Sequence, residues 1–176
     1  MGSTMENRKT LLLLAAGIAI GIAGLLAFEG TLHATSTDKF CTSCHEMDIP
    51  LAQLQKTSHF NNASGVSAGC SDCHIPREFI PKMVRKVEAA REVWGSLTGI
   101  IDTPEKYQAH APTMKAREIA RLKANDSQEC RNCHDAQRML SVIQSSKAQR
   151  FHRALASNRK TCIDCHAGIA HPDNSS

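Results

Sequence analysis

The longest apolar run in the chain lies near its start. Leu11 to Phe28 are eighteen residues without a charge or a strongly polar side chain. As an α-helix they rise about 27 Å, near the lower limit for crossing the roughly 30 Å hydrocarbon core of a bilayer. Arg8 and Lys9 precede the run, and the positive-inside rule places that end in the cytoplasm. The expected organisation is a cytoplasmic N-terminus over 1–10, a transmembrane anchor over 11–29 and an external domain over 30–176. A cleaved signal peptide is the competing reading. Its apolar region is normally about 7–15 residues and ends in an A-x-A-like site; Leu32-His33-Ala34 is a poor substitute, so a retained anchor is favoured. Gly17 and Gly21 form a G-x-x-x-G pair. That spacing suits a homodimer through the anchor, and equally the ordinary small-residue content of a membrane helix.

Beyond the anchor the pattern has a helical period. Met83, Val87, Ala90, Trp94 and Leu97 recur at steps of four and three and so share one face. Lys82, Arg85, Glu88 and Arg91 lie elsewhere. With Pro81 in a favourable first turn, this predicts a helix ending at about Leu97. A second helical region covers about Pro104 to Lys123, where Pro112 should kink or break it. A third covers about Asp135 to Ser157. Asn61 to Gly69 is rich in Ser, Gly and Asn and reads as a loop. No segment reads convincingly as a strand. The fold class is therefore mostly α with irregular connections.

Composition changes this picture. Aromatic residues are 4% of the 176, with one Trp and one Tyr, and mean hydropathy is −0.29 despite the apolar run. The remainder is polar and poor in large side chains, so it buries too little apolar area to fold well alone. The eight cysteines supply the missing piece. All lie in one motif: Cys41-Thr42-Ser43-Cys44-His45, Cys70-Ser71-Asp72-Cys73-His74, Cys130-Arg131-Asn132-Cys133-His134 and Cys162-Ile163-Asp164-Cys165-His166. C-x-x-C-H is the attachment sequence for c-type haem: two thiols add to the vinyl groups and the His becomes the proximal iron ligand. Zinc knuckles, thioredoxin-like motifs or disulfides do not require a His after every second Cys. Four covalently bound haems would fill the interior. The motifs start at 41, 70, 130 and 162, with spacings of 29, 60 and 32, which suggests two two-haem halves, 41–74 and 130–166. The formal charge of +4 is offset by haem propionates, and nothing interleaves aromatic with basic residues, so nucleic acid is not an expected partner. In bacteria this attachment takes place outside the cytoplasm, which agrees with an inner-membrane anchor and a periplasmic haem domain.

Five histidines lie outside the motifs: His33, His59, His110, His152 and His171. Low-spin electron-transfer haems need a second axial ligand, and neutral imidazole is a common one. The chain resembles the NapC/NirT family of membrane-anchored tetrahaem quinol dehydrogenases over nearly its whole length. The resemblance rests on the single anchor, Thr31-Leu32-His33-Ala34-Thr35, Phe40 through Met47 and Thr57-Ser58-His59. It continues through Pro81 to Lys86, Asn125 to Cys130 and Thr161 through Pro172. Ile101-Asp102-Thr103-Pro104 looks closest to the branch that feeds periplasmic nitrate reductase.

The resemblance implies that Met47 ligates the first iron in place of His45, whereas the residues alone favour His45. It implies His74, His134 and His166 as proximal ligands and reciprocal distal supply between the halves: His171 for the third haem and His59 for the fourth, leaving His152 for the second. His110 occurs in the nitrate branch, and His33 belongs at the membrane boundary. The implied activity is oxidation of membrane quinol, menaquinol or ubiquinol, with electrons passed to a periplasmic reductase, nitrate reductase first. A small-molecule multihaem reductase and a passive electron relay are the alternatives, so the chain stands between quinol dehydrogenase and plain carrier. The quinol site is expected beside the first haem. Lys82 and Lys86 share one helix face, and Glu92, rotated away from it, would accept a proton; ordinary solvated charges are the other reading of all three.

Overall fold

The computed structural model describes residues 2–135, 143–155 and 160–172. Helix α1 spans Gly2–Ala34, and within it Met5–Ala34 is long and apolar enough to cross a membrane, its most apolar eighteen-residue stretch having a mean hydropathy of 2.6 and being wholly exposed. The helix therefore continues past the apolar run at both ends. Thr31 and Thr35 donate their hydroxyls to the carbonyls of Ala27 and Thr31, which lets polar residues sit in its last turns.

The motifs sit in short helical turns: α2 (Asp38–Cys41) followed by a 3-10 turn over His45–Met47, α4 (Cys70–His74), α7 (Gln128–Arg131) and α9 (Ile163–His166). The second and fourth motifs are capped alike. Gly69 donates its N–H to Asp72 Oδ2, and Thr161 its N–H to Asp164 Oδ2, both at 2.8 Å. Aspartate at the third motif position thus holds the turn in each half.

Between the motifs, α3 covers Asp48–Leu54, α5 Phe79–Leu97, α6 Pro104–Ala124 and α8 Ser146–Leu155. Helix α5 begins two residues before Pro81 and stops where Gly99 adopts φ +78°, with Ile100 and Ile101 both donating to the Gly95 carbonyl. Its predicted apolar face does not form a protein core. Val87, Trp94 and Leu97 are 77%, 65% and 78% exposed; the helix packs through buried Gly95, against Ile101. Helix α6 runs unbroken through Pro112, contrary to a break there. A proline removes one N–H from the ladder, and the rest of the helix, capped by Thr103 and led by Pro104, holds without it. Of the third predicted helix, residues 136–142 and 156–159 lie outside the described residues. No strand occurs among the described residues.

Few side chains bury one another. Among the described residues the buried apolar side chains are Leu54, Ile101, Leu122 and Ile163; the buried polar ones are Glu46, Ser127 and Glu129. Ser127 adopts φ +53° and is fully buried. Its Oγ accepts from the Ile163 N–H at 3.2 Å and so ties the approach of the third motif to the fourth.

Candidate functional site

The motifs approach one another in the order of the chain. Cys41 lies beside Cys70, whose hydrogen bond pulls the Cys41 thiol down to about 7. Burial, and then the thiol of Cys130 with Asp72 and Cys133, pushes Cys73 up to about 11. Burial followed by Cys162 raises Cys130. Each neighbouring pair of motifs is therefore near enough for its thiols to interact electrostatically. Backbone supports hold the row: Asp38 Oδ1 accepts from Cys70 N at 2.8 Å, and the approach is so close that a Cβ on Gly69 would lie 2.8 Å from that oxygen. Arg77 reaches from the second motif to the Asn132 carbonyl of the third, at 3.5 Å.

Three of the four motif histidines face a histidine from elsewhere. His74 and His171 have ring centroids 6.2 Å apart at 28°; His134 and His59 are 6.0 Å apart at 77°; His166 and His152 are 6.3 Å apart at 36°. A metal–imidazole bond is about 2.0–2.1 Å, and the ring centre lies roughly 1.1 Å behind the nitrogen, so two imidazoles on opposite sides of one metal have centroids about 6.3 Å apart. All three spacings fit an iron held between two rings. The partners differ from those the resemblance implied. His171 stands opposite the second motif rather than the third, His59 opposite the third rather than the fourth, and His152 opposite the fourth rather than the second. The third motif takes His59 from the first half, and the second takes His171 from beyond the fourth. Only the fourth is served from within the second half.

The outer nitrogens of these rings are treated differently. His74 Nδ1 meets Glu118 Oε1 at 2.9 Å, and His152 Nδ1 meets Gln144 Oε1 at 2.7 Å. The Nδ1 atoms of His59 and His171 are buried with no hydrogen-bond partner. His110 is exposed and bonds through Nδ1 to the Lys106 carbonyl of its own helix. His33 is exposed in the last turn of α1. At the first motif, the His45 side chain is 65% exposed with Nδ1 3.5 Å from Glu46 Oε2. Met47 lines a cavity with Leu51, Leu54, Cys70, Cys73 and His171, on the side of the second motif.

The three residues expected at a quinol site separate into two groups. Lys86 Nζ donates to the Thr35 carbonyl at 3.1 Å and to Thr35 Oγ1 at 2.7 Å. Burial lowers its pKa; the Cys41 thiol opposes that and Lys82 adds to it. Lys82 lines a shallow cavity with Ser36, Ser71, Asp72, Ile75 and Arg77. Both lysines thus lie at the end of the anchor, where Phe28 and Phe79 also meet edge to face at 6.4 Å. Glu92 turns away, toward α6: Oε1 accepts from Arg117 at 3.2 Å and Oε2 is buried without a partner. Sequence reasoning missed the network behind His74. There Glu118 accepts from Arg121, ion-pairs with Arg85 at 3.5 Å, and is joined through Arg121 to buried Glu129. The i, i+3 spacing of Glu118 and Arg121 signals an ion pair on their own helix but not its approach to His74.

Among the described residues no group of three or more His, Cys, Asp and Glu side chains is arranged to hold a bare metal ion. The thiol pairs and facing histidines instead fit covalently attached haem. The family described as "NapC/NirT cytochrome c family, N-terminal region" matches residues 4–175. The denitrification system component NirT of Stutzerimonas stutzeri is 48% identical over 160 residues, covering 90% of this chain and 80% of its own. The cytochrome c-type protein NapC of Escherichia coli K12 is 47% identical with the same coverage. A protein of Allochromatium vinosum named as a tetraheme cytochrome-c type is 41% identical over 178 residues, 97% of each chain. No solved structure matches.

Proposed function

Since the chain belongs to the NapC/NirT cytochrome c family, a family of electron-transfer cytochromes, we propose that it oxidises a membrane quinol and delivers the electrons to a periplasmic reductase, nitrate reductase first. The haems, when bound, supply one-electron redox chemistry. The residues that would hold them are the four cysteine pairs, with His74 and His171 at the second, His134 and His59 at the third, and His166 and His152 at the fourth. His45 or Met47 serves the first.

The observation that carries the quinol reading is the place of Lys86. Its ammonium sits at Thr35, one residue past the end of a helix fit to cross a membrane, and close enough to Cys41 for the two to interact electrostatically. A quinol gives up two protons with its two electrons, so the site needs polar groups at the membrane surface. Lys86 and Lys82 would hydrogen-bond the quinol oxygens, and the lowered pKa of Lys86 brings it closer to the range useful for proton transfer. Glu92 lies apart from this pair, turned toward α6. The names of the relatives support a respiratory acceptor: one is a denitrification system component and another a cytochrome c-type protein NapC.

The test is to replace Lys82, Lys86 and Glu92 singly with Gln in detergent-purified protein and mix with menaquinol and ubiquinol analogues in stopped flow. Quinol-dependent haem reduction should fall at least tenfold for Lys86→Gln, roughly 1.4 kcal/mol of transition-state stabilisation. Reduction by dithionite should stay normal. Three variants with unchanged quinol kinetics would move the site off this helix.

A further inference from the structure

Among the described residues the second motif histidine has a feature not seen at the other two facing pairs: its outer nitrogen is bound to a carboxylate. His74 Nδ1 lies 2.9 Å from Glu118 Oε1. With Nδ1 occupied, Nε2 is the nitrogen left for a metal, and the near-parallel ring of His171 lies opposite. The peptide of His74 is fixed as well, because Arg85 Nε donates to its carbonyl at 3.1 Å.

Two arginines hold Glu118 in place there. Arg121 donates to Oε1 at 2.7 Å and to Oε2 at 3.1 Å, and Arg85 pairs with Oε2. Arg121 also donates to buried Glu129, whose other oxygen accepts from Asn125. Two carboxylates and two guanidiniums balance, so the cluster adds little net field at His74. What remains is the directed bond from the ring N–H to a carboxylate. Such a bond gives the imidazole imidazolate character and makes it a stronger donor to its metal. A stronger anionic donor favours the ferric over the ferrous state.

We propose that Glu118 is a positioning residue that acts through His74 to lower the reduction potential of the haem on the second motif. It fixes the ring's orientation, and it sets that haem apart from the two whose histidines show no carboxylate partner among the described residues. The proposal concerns one ligand's electronics and does not depend on what donates the electrons.

The experiment uses the full-length holoprotein in detergent, with spectropotentiometric titration and near-infrared magnetic circular dichroism of the ferric state. In the unaltered protein, one bis-imidazole haem should show its ligand-to-metal charge-transfer band at shorter wavelength than the other two. Glu118→Gln should return that band to the position of the others. It should also raise one midpoint potential by at least a tenfold change in the reduction equilibrium, about 59 mV for one electron, leaving the rest in place. Glu129→Gln removes a charge from the same cluster without touching His74 and should not move the band. Glu118→Asp keeps the ion pairs at shorter reach and should give a partial shift, which keeps the test available if the Gln variant does not mature. Three coincident bands in the unaltered protein, or equal shifts in Glu118→Gln and Glu129→Gln, would overturn the proposal.

Discussion

The His74–His171 pair and the His59–His134 pair come from the same five-residue motif and share a spacing near 6 Å, yet they differ in twist and in support. The first is nearly parallel, at 28°, with one ring anchored to a buried carboxylate. The second is nearly perpendicular, at 77°, and the outer nitrogen of His59 is buried without a partner. The motif determines where a haem is attached. The electronic character of the site comes from residues that have no motif: a glutamate on α6 in one case and an unsupported ring in the other. Parallel imidazole planes lift the degeneracy of the iron d orbitals that overlap them, and perpendicular planes leave it nearly intact.

The comparison breaks most visibly if the distal rings are removed. His171→Ala and His59→Ala should each turn one low-spin centre into a high-spin one in electron paramagnetic resonance, but different ones. His171→Ala should remove a rhombic signal, and His59→Ala the strongly anisotropic signal with the largest g value. Loss of the same signal in both variants would contradict the pairing.

A smaller effect tests the seam within the second half. Ser127→Ala leaves the buried Ile163 N–H without its partner, which costs about 1–3 kcal/mol. The loss should appear as a lowered thermal midpoint of the holoprotein. The matching seam in the first half is the contact of Asp38 with Cys70. Gly69→Ala would drive a Cβ to within 2.8 Å of the Asp38 carboxylate. The side chain can swing away, so the cost is the lost hydrogen bond, about 0.5–1.5 kcal/mol. A larger loss for Gly69→Ala than for Ser127→Ala would reverse the ranking of the two seams.

What could be read from the sequence was what is encoded locally. The apolar run, the period of α5, the helical region of α6, the loop at 61–69 and the four motifs each lie within a window of a few turns. The period of α5 was legible, but what its face meets was not: Val87, Trp94 and Leu97 share a face that the chain itself does not cover. The partners of His59, His152 and His171 could not be read, because each is set by how distant segments meet and nothing around the histidine records it. Glu118 was invisible for the same reason. On its own helix it is one charge among many, and only the fold brings it to His74.

The short inventory of buried apolar residues also bears on how the protein comes into being. Among the described residues Leu54, Ile101, Leu122 and Ile163 are the buried apolar side chains, too few to drive collapse of a chain of this length. Folding then depends on attachment, because the covalently held groups supply the interior that these side chains do not. A nascent chain that misses even one attachment loses part of its interior, so maturation, not intrinsic stability, sets its lifetime. Proteolytic quality control should therefore read haem occupancy directly, and the abundance of this protein in a cell should follow the supply of haem more closely than the supply of message.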